Sequence, residues 1–193
     1  MNFDITSGGY YWRGKHNLLA FRKFGVKPNL FYSALEFRSC IERVLIEHLI
    51  LLKIDNLPKN IAKLYRAKDI RTTILEFEPL FYKKLEFMNI NLEALNAGIQ
   101  VSIPDLQILN IHYGKLGNYL HSIKEPDDTV NSEEWWESFF INVQESEKYL
   151  YSVLSENFGS FKLNERGLEI FERWEKGQLS NKEVISELRS DME

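Results

Sequence analysis

Cysteine is nearly absent. Cys40 is the single one in 193 residues, so no disulfide can close within the chain. It lies among Phe37, Ile41 and Val44, where a thiol serves as a small core residue. Long apolar runs are lacking as well: the longest, 44–52, is broken by Glu47 and His48 and is far shorter than the roughly 20 residues that cross a bilayer. The amino terminus has no charged-then-apolar signal arrangement, and the expectation is a cytoplasmic protein with no membrane attachment. Neither a glycine-rich phosphate loop nor a nucleophile motif occurs. His112 and His121 are nine apart, half a turn out of phase on one helix, and no nearby cysteine or carboxylate pair completes a zinc set. No metal and no cofactor are expected.

What remains is the composition of one ordinary globular protein, 44% hydrophobic and 27% charged. Its formal net charge of −4 conceals a polarised chain. Residues 1–28 carry five basic residues against one acidic, net +4; residues 29–124 carry 12 against 10; residues 125–193 carry 7 against 17, net −10. A basic front half is compatible with RNA or DNA, whereas an acidic second half is a solvated surface or a docking face for a basic protein partner.

Residues 1–28 contain glycines, the adjacent aromatics Tyr10, Tyr11 and Trp12, and no sustained helical period, which predicts an irregular lead with a short helix over 16–23. From 29 to 53 the pattern changes. Leu35, Cys40, Ile41, Val44, Leu45, Leu49 and Leu52 recur every three or four residues and mark a long amphipathic helix. Pro58 suits the first turn of a next helix through Ala62, Leu64 and Tyr65. Further apolar positions, Ile70, Ile74, Leu75, Phe77, Leu80, Phe81, Leu85 and Phe87, are again helical, with Pro79 forcing a kink or a restart because it removes a backbone donor. Pro104 and Asp105 open a helix that runs to the proline-containing loop at Pro126; Ser132, Glu133 and Glu134 begin another that ends at Gly159. Two shorter helices close the chain, the second with Ser180 and Glu183 spaced as a capping box. The sequence predicts an all-α bundle: a basic aromatic lead over 1–28, the bundle over 29–158 and a short helical appendix over 159–193.

The stretch IHYGKLGNYLH, Ile111 to His121, concentrates polar residues and two glycines in an otherwise apolar helix. Gly114 and Gly117 each cost about 1 kcal/mol of helix stability relative to alanine, a cost that goes with close approach to the backbone. One reading is a packing seam with the histidines donating to carbonyls. The other is a cleft in which the His121 imidazole moves a proton near neutral pH and Lys115, or an arginine from elsewhere, holds a phosphate. Cleavage of an RNA backbone by its own 2′-hydroxyl fits such a cleft, since that reaction needs acid–base help and charge stabilisation.

Other residues offer alternatives. Arg43 and His48 spell an arginine, four residues and a histidine, but five helical steps leave them about 140° apart. The pairs Arg38 with Glu42 and Arg43 with Glu47 have the spacing of side-chain contacts on one helix surface. In GGYYWRGKHN, the aromatics Tyr10, Tyr11 and Trp12 stand beside Arg13, Lys15 and His16, a composition that stacks bases and neutralises phosphates, or that packs the lead onto the bundle. Trp135 and Trp136 point about 100° apart on a helix, so one suits the core and the other a helix or partner contact.

Two of these features together resemble the HEPN (higher eukaryote and prokaryote nucleotide-binding) superfamily: FRSCIE, with Arg38 and Glu42 on an early helix, and LGNYLH, Leu116 to His121, ending a later one. The likeness covers roughly residues 29–154. It implies a compact helical bundle, often homodimeric, and an RNA- or nucleotide-binding protein of a prokaryotic defence or toxin–antitoxin system, many of which are metal-independent ribonucleases. It also implies roles: His121 as acid–base group, Lys115 as charge stabiliser and Asn118 as polar orienter, with Arg13, Lys15, Lys63 and Arg66 on the RNA-facing surface. The sequence departs from active relatives where they have arginine, since Lys115 keeps the charge but loses the forked guanidinium. Arg43 and His48 are the alternative pair. The rival expectation is a non-catalytic interaction module, scaffold or antitoxin-like, whose acidic C-terminal half and Trp135, Trp136 and Trp174 dock a protein.

Overall fold

A threonine side chain starts the first helix. In the computed structural model, which describes residues 4–52, 70–121, 130, 132–154 and 165–190, Thr6 Oγ1 accepts the Gly9 N–H at 3.1 Å and caps α1 (Ser7–Phe24). Glu47 secures the same end from a neighbouring helix by accepting the Ser7 N–H at 3.0 Å and the Ser7 hydroxyl. The lead expected to be irregular is therefore one continuous helix. Its buried positions, Ser7, Tyr11, Gly14 and Leu18, do repeat every three or four residues, but serine and glycine fill two of the four, so the stripe carries little hydrophobic signal. Gly14 has a steric reason: a Cβ there would lie 2.6 Å from the Phe37 ring.

Gly25, in the left-handed region at φ 67°, ends α1 by donating to the Phe21 carbonyl at 2.7 Å, and α2 (Lys27–Leu52) returns antiparallel along it. Ser33 Oγ donates to the Gly14 carbonyl at 2.9 Å and the Cys40 thiol to the Ser7 carbonyl at 3.3 Å. Burial drives the Cys40 thiol pKa far up and keeps it protonated. Of the positions spaced along α2, Cys40, Ile41, Val44, Leu45 and Leu49 are wholly buried and Leu52 partly so, whereas Leu35 is half exposed and Leu30, Ala34 and Phe37 fill the core at that end.

Among the described residues there are eight helices and no strand, an all-α bundle. Pro79 produces a restart: α3 (Ile70–Phe77) stops and α4 (Phe81–Ala94) begins after a turn closed by Phe81 N–H to the Glu78 carbonyl at 3.1 Å. Asp105 caps α5 (Leu106–Leu120) by accepting from Gln107 and Ile108 at 2.8 and 3.1 Å. Ser132 Oγ accepts the Trp135 N–H at 3.2 Å at the start of α6 (Glu133–Leu154). Helices α1, α2, α5 and α6 pack on one another around Phe37, Leu109, Leu116, Phe139, Val143 and Leu150.

The last two helices, α7 (Glu165–Glu175) and α8 (Asn181–Ser190), build a second small core on α4: Ile170, Phe171 and Val184 bury Phe87 and Ile90. The capping box of α8 forms, with Ser180 N–H donating to Glu183 at 2.7 Å and Glu183 N–H to Ser180 Oγ at 3.4 Å. Arg189 donates to the Ala94 carbonyl at 3.1 Å, a cation at the carbonyl end of α4. No helix among the described residues is long and apolar enough to cross a membrane. The helix expected through Ala62, Leu64 and Tyr65 and the stop at Gly159 lie outside the described residues.

Candidate functional site

Two stripes with four-residue spacing face each other across the groove between α2 and α5. On α2 stand Arg38 and Glu42; on α5, Tyr113, Gly117 and, at its C-cap, His121. Residues four apart lie on one side of a helix, so both stripes are aligned along the groove.

Arg38 is the centre of the arrangement. Its Nη2 donates to Tyr113 Oη at 2.8 Å, Tyr113 in turn donates to Glu42 Oε1 at 2.8 Å, and the guanidinium carbon lies 4.2 Å from the Tyr113 ring centroid. Its Nη1 meets His121 Nε2 at 3.3 Å. Arginine has donors only, so the imidazole nitrogen accepts and the ring proton of the neutral tautomer sits on Nδ1. Gly117 makes the approach possible: a Cβ there would lie 3.2 Å from Arg38 Nη1. The Arg38 side chain keeps 21% of its surface exposed, and His121 is exposed, so the pair is reachable from solvent.

The acidic partners are the more buried ones. Burial pushes the Glu42 carboxyl pKa up, opposed by the Tyr113 hydroxyl and the Arg38 charge. Burial also pushes the Tyr113 hydroxyl up, so the phenol stays a donor to Glu42. The result is a guanidinium in contact with a carboxylate and a phenol that also meets an exposed imidazole. A guanidinium fork can bind an anionic oxygen pair, and an adjacent imidazole can take or give a proton.

The other residues singled out in the sequence are placed differently. Lys115 reaches α6, where its Nζ lies 3.0 Å from Glu145, both side chains exposed. Asn118 is exposed on α5. His112 is buried: its Nδ1–H donates to Ser146 Oγ at 3.0 Å, Ser146 donates on to the Asn142 carbonyl at 2.8 Å, and Tyr149 stacks on the ring. Burial, with Lys115 adding to it, pulls the His112 pKa down. Arg43 pairs with Glu47 at 3.0 Å, while His48 is wholly buried with its ring nitrogens 2.8 Å from the Val44 carbonyl and 3.0 Å from that of Ser102. Those two side chains diverge, as the helical angle requires.

Arg13 is bound to Glu36 at 2.9 Å and Lys15 to Glu147 at 3.3 Å, so carboxylates neutralise both. Lys63 and Arg66 lie outside the described residues. Trp135 and Trp136 pack with Phe31 and Phe139 against the main core, and Trp174 packs on Phe87 and Phe171 and donates to Asn181 at 2.8 Å. None of the three stands out as an exposed anchor.

The structure thus brings His121 to Arg38 and not to Lys115. Tyr113 is the member of the groove that sequence reasoning missed. A signal was present: Tyr113, Gly117 and His121 form a four-residue series whose middle member is the smallest residue. Compared with protein-family models, curated proteins and solved structures, the chain matches none.

Proposed function

We propose that the chain is an HEPN-like RNA-binding protein of a prokaryotic defence or toxin–antitoxin system, acting as a metal-independent endoribonuclease. One observation carries the reading: an exposed imidazole, His121, touches a preoriented, partly exposed guanidinium, Arg38. Arg38 supplies the forked cation that Lys115 lacks.

In this reading a phosphate of the RNA displaces the imidazole from Arg38 Nη1, which leaves Nε2 free to accept the 2′-hydroxyl proton. The 2′-oxygen then attacks phosphorus, the bond from phosphorus to the 5′-oxygen breaks, and the 5′-oxygen leaves with a proton, giving a 2′,3′-cyclic phosphate. Arg38 balances the charge that builds on the non-bridging oxygens. One imidazole serves one of the two proton transfers, and a second copy across a two-fold dimer supplies the other. The setting is the cytoplasm.

The test is cleavage of a labelled RNA in EDTA. Arg38→Ala and His121→Ala should each lower the rate by at least about 100-fold, the lower end of what acid–base catalysis contributes, whereas Lys115→Ala stays within a few-fold. Loss with Lys115→Ala and not with Arg38→Ala would move the site to the α5–α6 side. Neither cleavage nor RNA binding at low salt would favour the interaction-module alternative.

A further inference from the structure

Three exposed cations stand together at the turn between α1 and α2. Arg22, Lys23 and Lys27 are exposed there and form no ion pair among the described residues, in contrast to Arg13 and Lys15 on the helix shaft. No acidic residue occurs between Asp4 and Glu36. Instead, each cation lies near an aromatic ring: Arg22 at 5.8 Å from Phe140, Lys23 at 5.1 Å from Phe24 and Lys27 at 4.4 Å from Trp136. The same turn exposes Phe24 at 65% and Val26 at 46%.

Folding alone explains only part of this. Arg22 and Lys23 complement the carbonyl end of α1, but Lys27 stands in the first turn of α2, where the helix dipole favours a negative charge. An exposed phenylalanine at a turn tip adds nothing to the core. Lys27 and Arg38 are eleven residues apart on α2, three turns, which leaves them about 20° apart in angle and roughly 16 Å apart along the axis. Lys27 and Arg38 therefore lie along one side of α2, with Arg22 and Lys23 close to Lys27 in the chain at the end of α1.

We infer that this turn is a second contact for single-stranded RNA, with Arg22, Lys23 and Lys27 on phosphates a few nucleotides from the linkage held by Arg38, and the open face of Phe24 stacking a base. The inference rests on the function proposed above. An apolar tip ringed by cations also suits an anionic membrane surface. The alignment with Arg38 along α2 favours the strand, because a membrane contact has no need of that register.

The experiment is binding of a fluorescent single-stranded RNA to the full chain over a salt series, comparing wild type, Arg22→Ala/Lys23→Ala/Lys27→Ala, Phe24→Ala and Arg38→Ala. All the turn positions are exposed, and circular dichroism melts check that the variants fold. The triple variant should flatten the slope of log affinity against log salt by about 2, since single strands give about 0.7 per phosphate contact. Phe24→Ala should weaken binding by roughly tenfold at unchanged slope. If wild type binds RNA and Arg38→Ala weakens it but the triple variant keeps the wild-type slope, the turn contact is wrong and the function stands. Absence of RNA binding by wild type at low salt removes both. Turn-dependent sedimentation with phosphatidylserine vesicles, without a change in RNA affinity, would assign the turn to membrane instead.

Discussion

Helix α5 turns a histidine toward each of two neighbours, α6 and α2, and obtains opposite results. Toward α6, His112 is buried on Ser146 and Tyr149, and Lys115 is matched by Glu145. Toward α2, His121 remains exposed and its partner is another base-side group, Arg38. A histidine and a cation occur on each side, but only the second side leaves an imidazole and a guanidinium together and accessible. Residue type therefore does not separate a packing seam from a site here; the neighbour across the groove does.

The comparison can be broken most strongly at the glycines. Gly117→Val sets a Cβ 3.2 Å from Arg38 Nη1 with two further carbons on it, so the guanidinium must shift and RNA cleavage should fall by about tenfold while the fold persists, an outcome read from rates and melts together. A Cβ at Gly114 would meet nothing within 4 Å, and Gly114→Ala should raise stability by about 1 kcal/mol in urea unfolding and leave cleavage alone. A reversal of the two would put the close contact on the wrong glycine.

Acid should expose the buried side. His48 and His112 both have pKa values lowered by burial, so the unfolded chain takes up their protons first. Their contribution is complete above the ordinary histidine value near 6.5 and is lost as pH falls below it. Urea midpoints should drop between pH 7.5 and 5.5, and His112→Gln should drop less over that interval. An equal drop in the variant would place the titration elsewhere. Lys115→Ala should be the mildest change, within about 0.5 kcal/mol, because both members of its pair are largely in water.

The long helices were legible because their apolar positions keep a helical period, as in α2, or because a cap announces them, as Asp105 and the Ser180–Glu183 box do. Helix α1 was not, since Ser7 and Gly14 hold half of its buried stripe and are small for contact rather than hydrophobic. The groove was half legible. His121 and a close approach at Gly117 could be read from Ile111–His121, while the approach expected at Gly114 is absent; Arg38 is 83 residues away in sequence and reads locally as a partner of Glu42. A contact of that separation follows from helix packing, which periodicity does not specify. Tyr113, apolar in pattern, gives no local sign that its hydroxyl bridges Arg38 and Glu42.

The most direct test of the central claim is a double-mutant cycle on Arg38 and His121, with RNA cleavage as the readout. If the two form one site, Arg38→Ala/His121→Ala should be scarcely slower than the slower single variant, because groups acting as a unit are strongly non-additive. Multiplicative losses, or a full rate in either single variant, would contradict it.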